Sequence, residues 1–154
     1  MNTTDQNRYV DRTGFPPGPW DDEPDKAQWT TKAGLPGLIV RNSIGSLCGY
    51  AAVNPGHPLH GTDYDKVPET YAIGAHGGLT YSNACQDDGL ICHTPEPGQP
   101  DDVWWFGFDC AHSTDASPGL DHQISYFGFT RTYRDIHYVT QEVEDLAQQL
   151  ADLN

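Results

Sequence analysis

The stretch VWWFGFDCAH, residues 103–112, decides the fold. It is the densest apolar run in the chain and ends in ionisable side chains. Read as a strand, it sends Trp104, Phe106, Phe108 and Cys110 to one face and Val103, Trp105, Gly107 and Asp109 to the other. Bulk on both faces predicts a central strand with Asp109 and His112 at its end, where functional groups sit on the edge of a rigid scaffold.

Working outward, LIVRNSIGSLCGYAAV predicts a hairpin of residues 38–41 with 46–53, stopped by Asn54, Pro55 and Gly56. YAIGAHGGLTYS, residues 71–82, reads as a second strand that aligns His76, Gly78, Thr80 and Ser82 on one face. Residues 83–102 form a long loop carrying Cys85, Cys92 and His93, and residues 124–129 a short strand. The chain closes on a helix: Thr132 and Asp135 approximate a capping box, and Ile136, Val139, Val143, Leu146, Leu150 and Leu153 recur at steps of three and four. Together these predict an α+β fold, a small mixed or antiparallel sheet with one long C-terminal amphipathic helix and long loops. Residues 1–25, broken by Gly and Pro, predict an extended N-terminal arm anchored by Trp20 and Trp29; residues 26–154 form one globular domain.

Composition narrows the function classes. Eight basic against 22 acidic residues give a net charge of −14, which opposes direct contact with a nucleic-acid backbone. No apolar run approaches the roughly 20 residues that span a bilayer, so no membrane partner is expected. A start without a basic, apolar leader places the protein in the cytoplasm, where Cys48, Cys85, Cys92 and Cys110 are expected to be reduced; in a secreted chain Cys85 would pair with Cys92.

Four constellations carry chemistry. In HGGLTYS, Gly77 and Gly78 can turn backbone N–H groups toward an anion, with His76, Thr80 and Ser82 adding donors. Asp109 can orient His112, joined by His76, as in acid–base and metal sites. Tyr81 or Trp105 could stack on a planar base, and Arg131 or Arg134 could answer a phosphate. Zinc is the metal that Cys85, Cys92 and His93 would suit, although their spacing is not that of familiar zinc motifs; His57, His60 and Asp63 offer a second ligand set suited to a hydrolase. Each residue also has a plain structural role available, as core, turn or solvated loop.

GHPLHGTDYD, HGGLTYS, WWFGFDCAH and TYRDIHYV together resemble a family of small proteins common in bacteriophages and prophages. The resemblance spans residues 20–150 and implies work in the cytoplasm of a bacterial host, but it transfers no residue role. The leading expectation is therefore a phage-type accessory protein that binds a small anionic or nucleotide-like ligand without turnover and interferes with host signalling or defence. The alternatives are a metal-dependent hydrolase with a His/Asp site, and an acidic protein that binds and inhibits a host protein through Glu142, Glu144, Asp145 and Asp152. Whether the chain is an enzyme is left open, and a homodimer through the terminal helix is the lesser reading of that helix.

Overall fold

The computed structural model describes residues 8–120 and 131–153. Its core is a five-stranded sheet of β1 (Lys26–Thr30), β2 (Pro36–Arg41), β3 (Leu47–Val53), β4 (Tyr81–Ala84) and β5 (Trp104–Asp109). The order is β1-β2-β3-β5-β4 and every pairing is antiparallel. The helix α1 (Ile136–Ala151) lies on one face, so the fold is α+β.

The alternation of β5 works as expected. Phe106, Phe108 and Cys110 join Ile39, Leu47, Ala51 and Val53 beneath α1, whose Val139, Val143, Leu146 and Leu150 are fully buried. Each such side chain removed from water contributes about 1.5–3 kcal/mol, which is what holds an isolated 16-residue helix on the sheet. That apolar stripe is consumed inside the chain rather than by a partner helix. On the opposite face Trp105 packs with Leu38, Val40, Tyr50, Ala52 and Val103, and the loop after β4 covers them with Cys85 and Ile91.

Several expectations change. The predicted strand over 71–82 begins only at Tyr81: Gly77 and Gly78 both have left-handed φ, +70° and +88°, which a strand cannot contain. The helix is capped by Asp135, whose carboxylate accepts from the Tyr138 N–H at 2.8 Å, and not by Thr132. β1 was not anticipated. The strand expected at 124–129 lies outside the described residues.

The arm from Arg8 onward is docked. Trp20 is buried edge-on to Tyr133, with 4.9 Å between ring centroids. Asp25 accepts from the Tyr9 and Val10 N–H groups, both at 2.7 Å, and pairs with Arg12. Arg41, 2% exposed, donates to Asp25 (2.9 Å), Glu23 (3.1 Å), the Tyr133 hydroxyl (2.8 Å) and the Gly45 carbonyl (2.8 Å). The other oxygen of Glu23 accepts the Ile136 N–H at 2.8 Å, so one ionic network joins arm, sheet and the helix N-terminus.

Candidate functional site

The end of β5, the turn before β4 and the first turn of α1 meet around a buried carboxylate, Asp115. Its oxygens accept from His76 Nε2 (2.9 Å), Arg134 Nε (2.9 Å) and the His112 backbone N–H (3.0 Å). The other ring nitrogen of His76, Nδ1, is hydrogen-bonded to the Tyr138 hydroxyl (2.7 Å). Tyr138 also lies under the Arg134 guanidinium, 5.0 Å from its ring centre. Every polar atom of His76 is therefore engaged, and the ring is held in one orientation.

His112 stands beside it, the two ring centroids 5.8 Å apart. Its Nε2 lies 3.4 Å from Asp109 Oδ1, and about one third of each side chain is exposed. Asp109 is itself held by the Thr80 hydroxyl (3.2 Å) and the Ala111 N–H (3.0 Å). Gly77 closes on His112 so tightly that a Cβ would fall 2.1 Å from Nε2, whereas the space over Gly78 is open. Here glycine is required twice over, by its φ and by the approach of the ring.

The structure thus brings together His76, Gly77, Thr80, Asp109 and His112, with Gly78 alongside. It does not bring Tyr81, Ser82 or Trp105 to them. Trp105 is fully buried, donates its indole N–H to Cys85 Sγ (3.3 Å) and has His93 against its ring, so no face remains for a ligand to stack on. Tyr81 packs edge-on to Tyr50, and the Ser82 hydroxyl accepts the Tyr64 N–H. Arg134 is committed through Nε to Asp115.

The metal sets fare differently. His57 is buried, accepts the Leu59 N–H at Nδ1 and donates from Nε2 to the Leu150 carbonyl (2.7 Å), capping the end of α1. His60 donates to the Asp102 carbonyl (2.8 Å), and Asp63 is exposed, so His57, His60 and Asp63 make no ligand set. Cys85 and Cys92 are joined in a disulfide, which corrects the expectation of four reduced thiols and occupies both sulfurs; Cys48 and Cys110 are free. Burial, with Asp109 adding to it, pushes the Cys48 thiol up to about 11, which disfavours the thiolate. The acidic helix face is partly spent as well: Glu144 accepts the Trp29 indole N–H (2.9 Å) and the Lys32 N–H (3.0 Å).

Two hollows, of about 690 and 430 Å³, lie away from this corner. The larger is lined by β1 and residues 93–103, the smaller by residues 64–79, and neither includes His76, Asp109 or His112.

Asp115, Tyr138 and the network role of Arg134 were not anticipated. The available signal was spacing: Asp109, His112 and Asp115 recur every third residue, with an aspartate three positions to either side of one histidine. Desolvation pushes the Asp115 carboxyl up, but the bonds from His76, Arg134 and the His112 amide outweigh it and hold its pKa below the usual carboxylate value. Its stabilising contribution is accordingly complete above the unfolded pKa and fades as pH falls through the lower folded one. Asp115→Asn is expected to cost about 2 kcal/mol at neutral pH, since charged hydrogen bonds are worth about 1.5–3 kcal/mol. Urea unfolding from about pH 7 to about pH 3 should show the gap between variant and native protein closing in acid; a gap that widens would contradict the assignment.

Fold and site define an α+β domain with one helix on a five-stranded antiparallel sheet and a His–Asp corner at the end of its second-outermost strand. No family model, curated protein or solved structure matches the chain. Among the described residues no helix is long and apolar enough to cross a membrane.

Proposed function

We propose that the corner of Gly77, Gly78, Thr80, His112 and Arg134 binds a small anionic, nucleotide-like ligand and releases it unchanged. The observation that carries this reading is the arrangement around Asp115: one buried carboxylate ties down His76 and Arg134 and receives the His112 backbone, so a partly exposed imidazole is held against Gly77 and a guanidinium is held on Asp115 before any ligand arrives. Preorganisation of this kind lowers the ordering cost of binding. The Arg134 guanidinium offsets the buried Asp115 carboxylate. His76, with both nitrogens engaged, positions its neighbours and leaves His112 to meet the ligand. In the phage setting that the sequence resembles, such a protein would work in the host cytoplasm by withholding a signalling nucleotide.

Adenosine monophosphate and inorganic phosphate are the probes. Titration of either into the protein should move the His112 ring resonances in the NMR spectrum, and the nucleotide should be recovered intact by ion-exchange chromatography. His112→Ala should weaken binding by at least about tenfold, the loss of one charged contact of about 1.4 kcal/mol or more. Gly77→Ala should do the same by displacing the ring. Unmoved resonances with both probes would refute the anion site, and appearance of nucleoside would show turnover and overturn the non-enzymatic part.

A further inference from the structure

A second cluster lies on the opposite side of the sheet and does not depend on the anion-binding corner. Sulfur atoms of Cys85 and Cys92 and a carboxylate oxygen of Asp101 all lie within 4.8 Å of one another; among the described residues this is where three such ligand atoms are found so close. The neighbouring His93 carries a buried Nε2 with no hydrogen-bond partner among the described residues. We propose that this is a redox-gated site for a soft divalent cation of the zinc type: closed while the disulfide stands, and opened by reduction, with Cys85, Cys92 and Asp101 as ligands.

The geometry supplies what such a site requires. Metal–sulfur bonds of about 2.3 Å set two thiolates about 3.8 Å apart on a tetrahedral ion, so the two sulfurs, joined in the disulfide, must part on reduction to admit the ion, while the Asp101 oxygen already lies within 4.8 Å of both. The two cysteine Cα atoms are 4.6 Å apart, and contacts other than the S–S bond keep the segment folded. Gln86 N–H bonds to the Ile91 carbonyl (3.3 Å), Lys26 Nζ to the Gly89 carbonyl (2.7 Å), and the Gln28 side chain both donates to and accepts from the Thr94 backbone. Reduction therefore leaves the sulfurs neighbours. The Trp105 indole N–H already points at Cys85 Sγ and would support a thiolate there, as an outer hydrogen bond does in metal–thiolate sites.

The chemistry balances in two steps. A dithiol gives two electrons and two protons to the S–S bond, becoming a disulfide itself and leaving two protein thiols. A divalent cation then displaces both thiol protons to solvent as two metal–sulfur bonds form. Two thiolates and one carboxylate favour a soft ion over magnesium or calcium. In a reducing cytoplasm the open form would prevail.

The test uses the full chain, before and after reduction with a water-soluble phosphine, which takes up water as the phosphine oxide. Cadmium is titrated while the thiolate-to-cadmium charge-transfer band is followed. One ion per chain is expected in the reduced protein and none in the oxidised. The band should persist in Cys48→Ser/Cys110→Ser, vanish in Cys85→Ser/Cys92→Ser, and require at least about tenfold more cadmium in Asp101→Asn, an exposed position whose change leaves the fold intact. Zinc added in excess should bleach it. Reduced protein that binds no cadmium, or binding that survives loss of both Cys85 and Cys92, would overturn the site. An Asp101→Asn protein binding like the native one would overturn the three-ligand assignment. None of these results bears on the nucleotide titration.

Discussion

Arg41→Met is expected to remove about 3–5 kcal/mol of folding stability, a large share of the roughly 5–15 kcal/mol that a domain of this kind possesses. The stem of the side chain is preserved, so the loss reports the guanidinium. Its five donors are spent on Asp25, Glu23, Tyr133 and the carbonyls of Gly45 and Pro24, all in the interior. Without it, Glu23 and Asp25 stay buried with part of their hydrogen bonding unmade. Glu23 also holds the first N–H of α1, so arm and helix should loosen together. Desolvation pushes the Asp25 carboxyl up, yet the Val10 and Tyr9 amides and the Arg12 guanidinium outweigh it and hold its pKa below the usual value. Its contribution is thus present above the unfolded pKa and lost as pH falls through the folded one, which makes the network a point of acid sensitivity. A urea midpoint lowered by less than about 1 kcal/mol equivalent would show that the network is not what joins these elements. A double-mutant cycle with Glu23→Gln should give a coupling of about 1–3 kcal/mol, because the two share partners.

Trp105→Ala is expected to cost about 3–5 kcal/mol, the usual range for removing a large aromatic from a close-packed interior. The side chain is fully buried between β3 and β4 and forms the floor on which residues 85–103 rest. Amide exchange in that loop should rise more than in α1, which lies across the sheet. The same variant separates two roles for the residue. A ring that stacked on a ligand would, when removed, cost affinity and little stability; a core ring costs stability and leaves the His112 corner able to bind. Trp105→Phe should fall between the two in stability and leave nucleotide affinity unchanged.

Much of the fold was legible because its signals are short-range. The two-residue alternation of Trp104 to Asp109 and the three-and-four spacing from Ile136 to Leu150 each report a face within one element, and both faces are buried as their spacing predicts. β1 was hidden because KAQWT is mostly polar and becomes a strand by pairing with β2, while its outer residues are covered by a distant loop. The segment before β4 misled because apolar residues at alternate positions imitate a strand, whereas Gly77 and Gly78 turn the chain to let it fit around His112.

Sequence alone determined the class of fold, the apolar strand inside the sheet and the long helix, and it singled out His76, Asp109 and His112 as neighbours, since local periodicity and residue chemistry carry that information. Only the tertiary structure decided that Asp115 is the hub, that Trp105 is floor rather than stacking platform, that His57 caps a helix and that Cys85 meets Cys92 and Asp101. Those outcomes depend on partners up to 93 residues away, as for His57 and Leu150, and on burial, and neither distance in space nor loss of water is written in any short run of residues.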